Sequence, residues 1–172
     1  MKEVISLHHT SVSSLQPQYQ VVEDYHKGLY NMPSSLGKFC CYNYFIERDG
    51  KVIKARADED EGCHTIGWNK KSIGVCLSGN FSSEFPTKPQ IDAVKELTRK
   101  YQLPVKFHRS LQVNRTCPGS NLIIEKIFEY GDNPPAALDD ETKKNEEIKK
   151  KLSYIRELVA SLTLLVNKLL RK

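Results

Sequence analysis

The run SIGVCLSGNF, residues 72–81, has no polar face: small and apolar residues fill both alternating sets, and glycines bound it. A strand of this kind must be covered on both sides, so it belongs near the centre of a sheet with helices above and below. That requirement makes the chain an α/β protein, and the other segments read as neighbours of this strand. KEVISLHH alternates apolar and polar residues and ends in His8 and His9, which suits a half-buried strand. Residues 13–30, SSLQPQYQVVEDYHKGLY, open on serine caps and place Tyr19, Val22, Tyr25, His26 and Leu29 at helical spacing. CYNYFIERDGKVIKAR has two alternating arms about Asp49-Gly50, a dipeptide suited to the positive φ angles of a tight hairpin turn.

The second half continues the pattern. KPQIDAVKELTRKYQ sets Ile91, Val94, Leu97 and Tyr101 along one side of a helix that Pro104 stops, and VKFH is a short strand. GSNLIIEKIFEY reads as a closing helix opened by Ser120 or Asn121, after which GDNPPAALDD breaks the periodicity. The order strand, helix, hairpin, strand, helix, strand, helix predicts a single mixed β-sheet flanked by helices over residues 1–131. At 172 residues the chain has room for one such core and an appendage.

The appendage has its own signature. After a linker at 132–138, residues 139–172 repeat apolar positions at Ile148, Leu152, Ile155, Val159, Leu162, Val166 and Leu169, a heptad seam. Leu158 and Leu165 widen the seam, which favours a homo-oligomer of more than two helices or docking onto another apolar surface. The uncharged stretch LVASLTLLVN is ten residues, against the roughly 20 that span a bilayer, so no transmembrane span is expected. Basic residues flank it, and contact with an anionic membrane surface is the second reading of the same helix. This segment also carries +3 of the chain's net charge of +5, leaving a nearly neutral body and no basic, aromatic-interleaved patch for nucleic acid.

Five cysteines, at 40, 41, 63, 76 and 117, are an odd set, and Cys40 and Cys41 are adjacent. No disulfide framework is expected, and the thiols are read as reduced. MKEVISLHHTSV reaches polar histidines too soon for a signal peptide, so synthesis in the cytoplasm without that export signal is expected.

KFHRSLQVNRTCPGS raises the question of metal. Catalytic zinc takes three protein ligands from His, Cys and carboxylates, and His8, His108 and Cys117 each follow a predicted strand. Spacing alone leaves the other reading open, in which Cys117 is an inert buried thiol and the histidines are packing residues.

Four collinear blocks over residues 5–119 carry a resemblance: ISLHHT, CYNYFIERDGKV, GCHTIGWNKKSIGVCLSGNF and FHRSLQVNRTCPG. Together they resemble the zinc-dependent type-2 N-acetylmuramoyl-L-alanine amidases, the family of phage lysozymes and peptidoglycan recognition proteins. The resemblance implies Zn2+ held by His8, His108 and Cys117, with His8 preferred because the family's ligand directly follows the apolar strand residues. His9 is then a neighbour lining the groove. Tyr42 matches the family's site tyrosine, placed to hydrogen-bond the water or the developing oxyanion. Arg115 stands where lysine or threonine is common, and its permanent charge suits electrostatic stabilisation better than proton transfer. His64 matches a family histidine and is read as a muropeptide contact, with structural and proton-transfer roles open. Asn43 replaces a histidine frequent in phage relatives and is read as part of the groove. Cys76 reads as core filler.

The implied reaction is hydrolysis of the amide between N-acetylmuramic acid and L-alanine of bacterial peptidoglycan, by an endolysin acting on the wall after release. The alternative is a peptidoglycan-recognition module that binds muropeptide without cutting it.

Overall fold

A computed structural model of the chain describes residues 1–123 and Ile127. Its elements are β1 (Val4–His9), α1 (Tyr19–Tyr30), β2 (Tyr44–Ile46), β3 (Val52–Lys54), β4 (Ser72–Leu77), α2 (Lys88–Tyr101), β5 (Val105–Phe107) and α3 (His108–Leu111). The sheet order is β3-β2-β4-β1-β5, with β4 in the middle and every residue of β4 buried. Only the β2–β3 hairpin pair is antiparallel, so the sheet is mixed, as the order of elements predicts.

Alternation along each strand divides the core. Ile5, Leu7, Ile73, Val75, Leu77, Tyr44 and Ile46 point to one face, where they pack with Ile91, Val94 and Leu97 of α2. Phe45 and Cys76 point to the other, against Tyr19 and Val22 of α1. Cys76 is fully buried there, a small apolar filler. α2 begins with a capping box, in which Thr87 and Gln90 each satisfy the other's backbone N–H.

α1 is shorter than its sequence pattern predicts. Ser13 and Ser14 lie outside it, and its N-cap, Gln18, offers no side-chain bond. The free N–H groups are instead taken by Glu47, just beyond β2, whose carboxylate accepts from Gln18 N (2.9 and 3.1 Å) and Tyr19 N (2.7 Å). The inward face is Tyr19, Val22 and His26, while Tyr25 and Leu29 are exposed.

The hairpin turn also differs in detail. Glu47 and Lys51 close a three-residue loop in which only Gly50 has positive φ (87°), while Asp49 does not. That is a type I turn with a bulge rather than a two-residue primed turn.

Cys41 and Cys63 form a disulfide, which corrects the expectation of fully reduced cysteines; Cys40, Cys76 and Cys117 are free. An odd count argues against a framework of several bridges but not against one. The hairpin between the two cysteines folds the chain back, so residues 22 apart in sequence have Cα atoms 4.8 Å apart.

Leu122 and Ile127, from the predicted closing helix, are buried in the core on the α2 face. The chain divides into two units, Met1–Glu129 and Tyr130–Lys172. The rest of the closing helix, the linker and the heptad-patterned segment lie outside the described residues.

Candidate metal centre

Parallel pairing of β1 with β5, Leu7 opposite Phe107, carries both strands to the same edge and sets His8 beside His108, the first residue of α3. Their ring centroids are 4.5 Å apart. Cys117 returns from the following loop, which is fastened to both neighbours. Arg109 N donates to Cys117 O (2.9 Å), and Arg109 Nη1 donates to Gly119 O (2.5 Å). Gly119, at φ 91°, lies so close to the Phe81 and Ser82 backbone that any Cβ would collide with it.

His8, His108 and Cys117 thus offer ligand atoms that all lie within 4.8 Å of one another. His8 Nδ1 is 3.7 Å from Cys117 Sγ. Tetrahedral zinc, with ordinary Zn–N and Zn–S bonds, separates such a nitrogen and sulfur by about 3.6 Å. Two imidazoles and one thiol are also the donor types zinc prefers. The residues present therefore fit the ion.

Electrostatics favour the neutral imidazoles that metal binding requires. Desolvation by complete burial holds His8 well below the ordinary histidine range, with His64 and His108 adding to the effect. Desolvation also lowers His108, opposed by its bond to Gln112 and reinforced by Arg115. Burial pushes the Cys117 thiol up to about 11, against the His9 backbone N–H and the charges of Arg109 and Arg115. Without a cation the sulfur keeps its proton, and a bound cation is what stabilises the thiolate.

The other predicted residues divide. Tyr42 joins the cluster, its ring 5.0 Å from that of His8. Burial raises its phenol well above the usual range, as do the neighbouring Cys76, Cys117 and Cys40. Arg115 is exposed at the rim and close enough to lower both His108 and Cys117. Gln112 lies between Arg115 and His108, with its side-chain oxygen 3.0 Å from His108 Nε2 as the acceptor for that ring N–H.

Three residues expected to line a groove are placed otherwise. Asn43 is 0% exposed; its amide donates to Ala57 O (2.8 Å) and accepts from Gly74 N (2.9 Å). Fully buried and bonded at both ends to the protein's own backbone, the side chain faces the interior and not a groove. His9 sits on the opposite face of β1 from His8, accepting from Phe81 N at Nδ1 (3.0 Å) and bonding Ser11 Oγ through Nε2 (2.8 Å). His64 is in the cluster but 9% exposed, beneath His8 rather than on the cleft surface.

Sequence reasoning passed over Ser6, Thr65 and Gln112, all of which touch a histidine of the cluster. Two of them had a signal. Ser6 lies two residues before His8 and so on the same strand face, and Gln112 lies one helical turn after His108.

Residues 2–120 match the family described as N-acetylmuramoyl-L-alanine amidase. Among solved structures, N-acetylmuramoyl-L-alanine amidase LysC from Clostridium intestinale is 26% identical with a TM-score of 0.61, covering 74% of this chain and 83% of its own. The Ph2119 endolysin from a Thermus scotoductus bacteriophage is 25% identical with the same TM-score, covering 74% and 83%. Peptidoglycan-recognition protein 2 of Holotrichia diomphalia is 31% identical over 102 residues, 56% of this chain and 51% of that protein. The chain spans about half or less of the length of the curated relatives it matches first.

Proposed function

Because this chain belongs to the N-acetylmuramoyl-L-alanine amidase family, we propose that it is a zinc-dependent amidase. It hydrolyses the amide between N-acetylmuramic acid and L-alanine in bacterial peptidoglycan, as an endolysin that reaches the wall after release from the cell. The observation that carries this reading is the meeting of His8, His108 and Cys117, with a nitrogen-to-sulfur separation of 3.7 Å that suits one tetrahedral ion. His108 and Cys117 are only partly buried, so the cluster is not sealed from solvent.

His8, His108 and Cys117 would hold the ion, which when bound supplies Lewis acidity and makes water nucleophilic near neutral pH. The protein's own residues supply the rest. Tyr42 keeps its proton at neutral pH and is a hydrogen-bond donor for the oxygen that gains charge in the transition state. Arg115 is a fixed cation at the rim that stabilises the same charge but cannot relay a proton. His64 is buried beside His8, and we assign it to the support of that ring and not to substrate contact. The segment 139–172 is our candidate for self-assembly or for contact with the envelope.

Zinc content and digestion products of the wild type and Cys117→Ser test this. The wild type is expected to carry one zinc and to release new alanine amino termini from peptidoglycan without new reducing sugar ends. Cys117→Ser is expected to lose both. Cleavage that persists in chelator, or muropeptide binding with no product, rejects the amidase and favours a recognition module.

A further inference from the structure

The buried side of His8 holds a hydrogen-bonded group that metal binding alone does not explain. His8 Nε2 lies 3.0 Å from Ser6 Oγ, 3.2 Å from Thr65 Oγ1 and 3.1 Å from His64 Nδ1. Thr65 Oγ1 is also 3.0 Å from His64 Nδ1 and 3.3 Å from Ser6 Oγ. Ser6 is 0% exposed and Thr65 1%, so water does not substitute for any of these contacts. We propose that Ser6 and Thr65 are positioning residues that, against the competing N–H of His64, fix His8 in the tautomer presenting Nδ1 to the metal ion. This rests on the zinc reading above.

A neutral imidazole has one N–H and one lone pair. His8 Nδ1 faces Cys117, so it must keep the lone pair, and the proton belongs on Nε2, where it needs an acceptor. Two hydroxyl oxygens supply one. His64 is a competitor for the same contact, because an N–H at its Nδ1 could donate to His8 Nε2 and drive the His8 proton onto the wrong nitrogen. His64 has little choice of tautomer: its Nε2 is buried with no partner, packed against Gly62 and Gly74 so closely that a Cβ on either would strike the ring. A buried N–H without an acceptor is costly, so the His64 proton stays on Nδ1. Thr65 resolves the competition by accepting from His64 Nδ1, and Ser6 accepts from His8 Nε2. Removing both hydroxyls leaves the His64 N–H with His8 Nε2 as its sole acceptor among the described residues, which forces the tautomer that cannot bind.

Long-range 1H–15N spectra of the zinc-loaded wild type, with ring-labelled histidine, read the tautomer directly. They are expected to show His8 protonated at Nε2 and ligated at Nδ1; ligation through Nε2 overturns the inference, whatever the variants do. Zinc affinity is measured separately, by competition with a chromogenic chelator. Ser6→Ala combined with Thr65→Val is expected to weaken it about 10- to 100-fold, and Thr65→Ser to keep it near the wild type. Equal affinity in the double variant overturns the positioning role while leaving the zinc centre intact. A wild type with no zinc affinity removes the zinc reading and this inference together.

Discussion

Arg115 differs from the ligands in what its loss should change. It acts on the cluster electrostatically, yet it is exposed and offers no lone pair to a metal. Arg115→Ala is therefore expected to lower kcat about 100-fold, the order seen when one oxyanion donor is lost, with zinc content unchanged. Arg115→Lys should keep most of the activity, since the charge remains. Loss of zinc in Arg115→Ala, or full activity without the guanidinium, would show that the side chain has another task. The meeting of His8, His108 and Cys117 could be anticipated because the four sequence blocks carry them in order, and alternation along β1 separates His8 from His9. What was not legible was how polar atoms are used inside. Asn43 looks like a groove residue until Ala57 and Gly74 are seen to occupy its amide, and those partners lie 14 and 31 residues away.

The same limit operates on elements. Strands announced themselves through alternation, and the buried run at 72–81 located the centre of the sheet correctly. The start of α1 did not, because its cap comes from Glu47, 28 and 29 residues beyond the groups it satisfies. This carboxylate is 5% exposed, and three of its contacts are charge-assisted bonds to N–H groups at the positive end of a helix. Glu47→Ala strands those donors in a buried setting and is expected to cost about 2–3 kcal/mol. Chemical denaturation measures the loss, and hydrogen exchange localises it: amides of the first turns of α1 should lose protection before those of β4. Equal protection losses across the sheet would place the role of Glu47 elsewhere than in the cap.

At the scale of the molecule, the one bridge among five cysteines spans the site. Cys41 precedes Tyr42 and Cys63 precedes His64, so the disulfide joins the segment bearing the cluster's tyrosine to the segment beneath His8. Closing a loop of 22 residues in the unfolded chain is worth about 3 kcal/mol by chain entropy. The sequence could not show this, because adjacency to Cys40 and an odd count say nothing about which strands later meet. Cys40, Cys76 and Cys117 are free, so a phosphine reductant has one bond to break. Denaturation of the wild type with and without reductant should differ by about 3 kcal/mol, and Cys41→Ser combined with Cys63→Ser should match the reduced wild type and ignore the reductant. The double variant is expected to keep its fold, since the core on both sheet faces packs without the bridge. A wild type whose stability is indifferent to reductant would mean that the bond constrains neither the unfolded chain nor the two walls it links.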